Sequence, residues 1–251
     1  AIPVAANPFR ALNAPDAAFE NRAELRTYSG IPGASQPMDE ELARNLKHGY
    51  YAATTFVDAQ IGRVLAALDY AGLSDNTVVV LFGDHGFHLG EQDDWAKHTN
   101  FDVGTRVPLI IRKPGSPENQ STGVLIELVD LYPTVPDLAG LPVPTQAQMG
   151  GYEPGGSNLS RFVTTSTAVS NRGAFSQWFR GESRGYSVRT KQYRYTEWRN
   201  GSDLELELYD HALDPNETTN VAAQPEYANV IDALQDALAA GGQVALPQEL
   251  W

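Results

Sequence analysis

Two adjacent side chains, Asp84 and His85, stand between glycines in the string Gly83-Asp84-His85-Gly86. Asp84 offers a hard carboxylate oxygen of the kind that Ca²⁺ or Mg²⁺ takes. His85 offers a nitrogen, more typical of Zn²⁺ or Fe²⁺. Glycines on either side let the backbone come close to a ligand. Two donors do not close a metal shell, so partners must come from elsewhere. The bland alternative is a turn in which Asp84 caps local amides and His85 is an ordinary polar neighbour. Lys97 follows twelve residues after His85, within Glu91-Gln92-Asp93-Asp94-Trp95-Ala96-Lys97-His98. It is either a solvated surface charge or the point charge that holds an anionic oxygen. Spacing alone does not choose.

Composition narrows the chemistry. The 251 residues contain no cysteine, which removes disulfides, thiolate metal sites and thiol nucleophiles. The formal charge is −13 at pH 7, so general nucleic-acid binding is excluded as a leading function. No uncharged apolar run is long enough to span a membrane. The charge is uneven, however. Arg161, Arg172, Arg180, Arg184, Arg189, Lys191, Arg194 and Arg199 face only Glu182 and Glu197 across that stretch. This cationic segment reads either as a strand-rich edge with solvated arginines or as a local anion-binding surface.

These residues need elements to hold them. Residues 1–37 are rich in Pro, Ala and Asn and read as irregular. From Met38 the acids Asp39, Glu40 and Glu41 suit a helix N-terminus, and apolar residues recur at helical spacing to Leu68, with Gly72 as the stop. Thr77–Phe82 is a continuous apolar, β-branched run, as expected of a strand covered on both faces in a parallel sheet. Its carboxyl end delivers Asp84 and His85, the place where open α/β sheets gather ligands. A second strand is expected at Val107–Ile111 and a helix over Ile126–Leu138. Gln146–Ser160 reads as an exposed loop or subdomain joint. Three alternating segments, 186–190, 193–198 and 204–209, read as half-buried antiparallel strands, with Asn200-Gly201 turning a hairpin between the last two. Glu226–Ala240 is a final amphipathic helix. The expected fold is therefore α/β, with residues 1–150 as one domain and 151–251 as a subdomain of antiparallel strands and a terminal helix.

Read together, these strings resemble the type I sulfatases of the alkaline-phosphatase superfamily, and within them the iduronate-2-sulfatase group. The likeness is carried by Asp84-His85-Gly86, Leu89-Gly90-Glu91, Trp95-Ala96-Lys97, Asn100-Phe101-Asp102 and Val107-Pro108-Leu109, then by Glu127–Thr134, Gly185–Thr190 and Tyr193–Thr196, in that order. The resemblance implies the C-terminal part of an α/β/α sandwich, followed by a small antiparallel sheet and a C-terminal helix. It implies Asp84 and His85 as ligands of Ca²⁺, ahead of Mg²⁺, and Lys97 as a catalytic and sulfate-binding contact. It places Arg189 near an acidic sugar or in support of that wall, with His98 and His88 as polar candidates at the rim. The pattern departs at Gln92-Asp93, where the iduronate group has His-Gly, and at Phe87-His88, where it has Trp-Ala.

The same resemblance implies a formylglycine nucleophile made from Cys-x-Pro-x-Arg or Ser-x-Pro-x-Arg, and no such string occurs in this sequence. The chain is thus expected to be the C-terminal half of a sulfatase, partnered by an N-terminal half of the same protein and inactive alone. Its expected substrate is a sulfated sugar or polysaccharide, and its expected location is periplasmic or secreted in a bacterium. Two other functions fit the residues: a phosphodiesterase or phosphonate hydrolase of the same superfamily, and a non-catalytic module binding anionic glycans through residues 161–199.

Overall fold

The computed structural model describes residues 2–19, 23–33, 38–152, 155–165 and 170–241. Parts of the Pro- and Ala-rich leading segment therefore lie outside the described residues. The chain gathers into two compact units, one made of Ala1–Phe56, His85–Arg106 and Gly173–Trp251, the other of Val57–Asp84 and Val107–Arg172.

Helix α1 (Glu40–Tyr70) runs across the join between the two units in sequence. Asp39 accepts the Leu42 amide at 2.7 Å and so satisfies one of the otherwise orphaned donors of the first turn. At the other end Gly72 adopts φ +68, and Leu73 N–H bonds back to the Leu68 carbonyl at 3.2 Å. That closure needs a left-handed residue, which is why the helix stops there. The expected limits are met at both ends.

In the second unit, strand β1 (Val79–Phe82) follows the helix. In the first unit come the short strands β2 (His88–Leu89) and β3 (Trp95–Ala96), paired with each other, and the single turn α2 (Asp102–Thr105). The chain then returns to the second unit as β4 (Leu109–Arg112). Strands β1 and β4 pair antiparallel, Val79 opposite Arg112 and Phe82 opposite Leu109. This corrects the expectation of a parallel strand buried on both faces. A β-branched run signals a strand, but its direction is set by the partner. Here Leu81, Phe82 and Ile110 are 37%, 47% and 60% exposed.

The second unit owes its local order to a polar knot. Helix α3 (Leu131–Leu138) follows a 3₁₀ turn over Leu128–Asp130. Asp130, fully buried, accepts the amides of Glu127 (2.8 Å) and Ser157 (2.7 Å) and pairs with Arg172 at 2.7 Å. Arg172 also pairs with Glu127 at 2.8 Å. Thr134 Oγ1 accepts the Leu159 amide at 2.8 Å, just ahead of the short helix α4 (Ser160–Thr164). The segment expected as a loop is thus exposed over Gln146–Gln148 and pinned at its far end.

The first unit holds the larger core. Strands β5 (Ala174–Arg180), β6 (Ser183–Arg189), β7 (Tyr193–Asn200) and β8 (Asp203–Asp210) form one antiparallel sheet in that order. The Asn200-Gly201 hairpin forms as expected, with Gly201 at φ +59 and Asn200 opposite Asp203. Strand β5 had no counterpart in the sequence reading. Helix α5 (Ala228–Ala240) packs Ile231, Leu234 and Ala237 against Val188, Tyr193, Tyr195 and Leu208 on one face. Ala11, Ala18, Phe19 and Phe101 pack with Trp198 and Tyr209 on the other. Because both faces are covered, Tyr193–Trp198 is buried at every position, where the alternation predicted a half-buried strand.

Between the second face and Phe101 lies a buried charge network. The Arg194 guanidinium is sandwiched between the Phe101 and Tyr209 rings, 4.8 and 4.6 Å from their centroids. Its Nε donates to Glu217 Oε1 at 2.6 Å, and its Nη2 lies 3.7 Å from Glu207 Oε2. Glu217 also accepts the Asp102 amide (2.9 Å) and His211 Nε2 (2.9 Å). Burial pushes the Glu217 carboxyl up, but Arg194 and His211 outweigh it and hold it down at about 2. Burial raises Glu207 in spite of Arg194. His88, fully buried, donates from Nδ1 to the Glu91 carbonyl and accepts Thr99 Oγ1 at Nε2, and burial lowers its pKa.

The signs give a pH profile. A histidine lowered in the folded state resists protonation, so His88 removes stability as pH falls below its unfolded value of about 6.5. The slope approaches 1.4 kcal/mol per pH unit, roughly the value for one proton. Glu217, depressed, loses its contribution between its ordinary range and about 2. Glu207 opposes it, since protonation favours the folded form. Urea denaturation between pH 7 and pH 5 is expected to show falling stability, and His88→Gln is expected to flatten that slope. An unchanged slope in the variant would assign the loss to other groups.

Candidate anion and metal site

Strand β1 delivers the Gly83-Asp84-His85-Gly86 loop, and Gly83 N–H still bonds to the Pro108 carbonyl at 3.1 Å. Asp84 and His85 are both exposed. His85 Nδ1 lies 2.8 Å from the Gly86 carbonyl oxygen, which can only accept. Nδ1 is therefore the donor in this contact. A backbone carbonyl on the other ring nitrogen is the usual way a metal-binding imidazole is oriented. Among the described residues no three His, Asp or Glu side chains gather into a metal group. The Asp84 carboxylate suits a hard cation, and an imidazole beside it supplies a minority of a shell that Ca²⁺ fills mainly with oxygen. The donors present therefore fit one end of such a site.

Gly86 is required by its surroundings. A Cβ there would lie 2.1 Å from Val103 O and 3.0 Å from Arg106 O, and its N–H donates to the Gly104 carbonyl at 3.0 Å. The loop thus packs edge-on against the backbone of α2.

Lys97 follows β3 directly. Its Nζ pairs with Glu24 Oε1 at 2.7 Å, and His98 Nε2 lies 3.6 Å from Glu24 Oε2. The structure brings these two predicted residues together on one carboxylate. The His98 ring stacks on Trp178 at 4.6 Å and 11°, while its carbonyl accepts Arg180 Nη2 at 2.5 Å. Next along, Asn100 Nδ2 donates to the Gly185 carbonyl at 3.3 Å, and Phe101 and Asp102 enter the Arg194 network. The chain just after Lys97 is therefore fastened to the four-stranded sheet. Ala96, at φ +73, shows that the backbone before Lys97 takes a conformation unusual for a residue with a side chain.

Arg189 pairs with Asp102 at 3.0 Å and donates to His211 Nδ1 at 2.8 Å. It braces the wall behind Asp102. His88 belongs to the buried scaffold and not to a rim. The cationic segment is also largely committed inward: Arg172, Arg180, Arg189 and Arg194 each meet a carboxylate or a carbonyl, while the exposed Arg199 pairs with Glu197. The sequence reading missed Glu24, Trp178 and Arg180 as neighbours of Lys97 and His98. Only the clustering of arginines hinted at the last.

The sulfatase family profile matches residues 19–141, and that of the C-terminal region of N-sulphoglucosamine sulphohydrolase matches residues 90–243. Iduronate 2-sulfatase of Mus musculus is 30% identical over 263 residues, covering 79% of this chain and 48% of its own length. Arylsulfatase K of Bos taurus is 31% identical over 205 residues, covering 77% of this chain and 36% of its own length. The chain thus spans half or less of the curated relatives it matches. Among solved structures, a putative sulfatase from Bacteroides thetaiotaomicron superposes with a TM-score of 0.71 at 27% identity, covering 95% of this chain and 52% of that one. The phosphonate monoester hydrolase of Agrobacterium radiobacter superposes at 0.75 with 26% identity, covering 96% and 50%. The ordered motifs from Asp84 to Thr196, the mixed α/β fold with its antiparallel sheet and terminal helix, and these matches agree: the chain belongs to the sulfatase family.

Proposed function

We propose that this chain is the C-terminal portion of a sulfuric ester hydrolase acting on sulfated sugars, with residues 1–150 contributing to the catalytic core and 151–251 forming its C-terminal subdomain. The observation that carries the proposal is the His85 imidazole, adjacent in sequence to Asp84, with its Nδ1 committed to the Gly86 carbonyl. Asp84 and His85 Nε2 would hold Ca²⁺. A structure related to this chain at 28% identity and a TM-score of 0.72 was solved with its substrate D-glucosamine-2-N,6-O-disulfate, which supports a sulfated sugar as the ligand class. A periplasmic or secreted location suits such substrates.

In this reading a bound cation would supply charge neutralisation, and a formylglycine from a preceding part of the polypeptide would supply the attacking oxygen. The chain's own residues do the rest. Lys97 holds a sulfate oxygen as negative charge moves toward the leaving oxygen. Lys97 or His98 donates the proton that the leaving oxygen takes. Arg189 acts behind them, through Asp102. The apolar surface left by Val64, Leu81, Phe82 and Ile110 in the second unit suits coverage by further sulfatase core.

The test is turnover of an aryl sulfate and of a sulfated glucosamine by the intact protein, with Asp84→Ala, His85→Ala and Lys97→Ala. Each variant is expected to lose on the order of 100-fold or more in kcat/KM, while residues 1–251 alone are expected to be inactive. Calcium-dependent turnover by those residues alone would overturn the division of labour. The likeness to a phosphonate monoester hydrolase favours a second reading. Faster hydrolysis of phosphonate or phosphate esters than of sulfates in the same assay would select it.

A further inference from the structure

We propose that Glu24 is a built-in competitor for the anion site formed by Lys97 and His98, and that it loosens the hold of that site on free sulfate. The proposal rests on Lys97 being a sulfate contact. Glu24 Oε1 sits 2.7 Å from Lys97 Nζ and Oε2 sits 3.6 Å from His98 Nε2, so one carboxylate spans the two groups that would meet an incoming anion. The contact is long-range, joining positions 73 apart in the chain. It is therefore a product of the fold and not of local sequence.

Two features make the contact competitive. The side chains of Lys97, His98 and Glu24 are 28%, 33% and 19% exposed, so solvent reaches the pair without dominating it. The anion-facing groups also have little freedom to leave. His98 is stacked on Trp178 and held at its carbonyl by Arg180, and Lys97 is its chain neighbour. An anion arriving there must displace the Glu24 carboxylate. No bond is made or broken: one anion leaves the ammonium and another takes its place. A sulfate ester brings a sugar whose other contacts offset that displacement. Inorganic sulfate, the product of ester hydrolysis, brings only its own oxygens. The displacement costs both anions the same, so Glu24 loosens product sulfate while the sugar contacts keep the substrate bound.

The experiment is competitive acetylation of Lys97, read by mass spectrometry on the intact protein, in wild type and in Glu24→Gln, with and without inorganic sulfate. Without sulfate, Lys97 is expected to label several-fold faster in Glu24→Gln. With sulfate, the concentration giving half-protection is expected to fall by about fivefold in the variant, the scale of a partly exposed ion pair. Equal labelling rates, or equal or weaker protection by sulfate in the variant, would overturn the proposal and leave Glu24 as a positioning residue. Faster labelling with no sulfate protection in either protein would overturn it differently, by removing Lys97 as a sulfate contact while the ion pair stands. Glu24→Ala serves as the second variant, because it removes the carboxylate without placing an amide in the same space.

Discussion

Arg194→Met is expected to cost about 3–5 kcal/mol of folding free energy, the range for breaking a buried ion pair by removing one partner. Arg194 is 1% exposed, as are the Glu207 it faces and, at 2%, the Glu217 it binds. Methionine fills much of the space between the Phe101 and Tyr209 rings, so lost packing is the smaller part of the effect. The larger part is charge. Glu217 would keep the Asp102 amide and His211 as donors, and Glu207 would keep Trp198 Nε1 at 2.6 Å and the Tyr209 hydroxyl at 2.8 Å. Neither would keep a cation of its own inside the core. With Arg194 gone, Glu217 no longer sits near 2, and both carboxyls become groups that prefer to be protonated. The variant is therefore expected to recover part of its stability as pH falls from 7 toward 5, against the wild-type trend. Adding Glu217→Gln should restore a further share, because it removes the uncompensated charge directly. Urea denaturation across pH checks all three statements. A loss under about 1 kcal/mol would mean that water reaches the network and that the fastening of Phe101 and Asp102 lies elsewhere.

How far the sequence reveals this arrangement depends on how local each cause is. Helix α1, helix α5 and the Asn200-Gly201 hairpin were legible because their signals lie within a few residues: capping acids, apolar spacing, a stop glycine, a turn dipeptide. The Asp84-His85 loop was legible for the same reason, as a glycine-flanked pair at the end of an apolar run. Strand β5 was not, since Ala174–Arg180 mixes polar and aromatic residues without clean alternation, and it becomes a strand by pairing with β6. The direction of β1 depended on Leu109–Arg112, a partner whose choice no local pattern records. The cationic segment misled for a further reason. Charge counted along the chain ignores Glu127, Asp130, Asp102, Glu207 and Glu217, which are distant in sequence and take up those arginines in the fold. Glu24 was invisible as a neighbour of Lys97 on the same ground. The residue types of the candidate site stand in the sequence, whereas the carboxylates that meet them in the fold come from distant positions.

Gly86→Ala is expected to be the most damaging substitution near the site that changes no charge. The added Cβ would sit 2.1 Å from Val103 O, 3.0 Å from Arg106 O and 3.0 Å from Gly104 C. All three are backbone atoms, so no flexible side chain can give way. Moving α2 is no easier, because a Cβ at Gly104 would itself meet Thr99 Oγ1 at 2.7 Å, and Thr99 is tied to buried His88. Overpacking of this kind costs about 3 kcal/mol or somewhat more. The chemical consequence is specific, since the carbonyl that orients His85 Nδ1 belongs to Gly86. On the proposed role of Asp84 and His85, whatever fraction of the variant folds should bind Ca²⁺ at least about tenfold more weakly, the scale for losing an orienting partner of a ligand. Gly49→Ala in α1 supplies the contrast: a Cβ there meets nothing within 4 Å, and alanine in a helix interior gains roughly 0.5–1 kcal/mol over glycine. Thermal unfolding of both variants, with calcium titration of the folded material, separates steric from generic effects. If Gly86→Ala unfolded and bound metal as wild type does, the loop would not be pressed against α2, and the orientation assigned to His85 would lose its support.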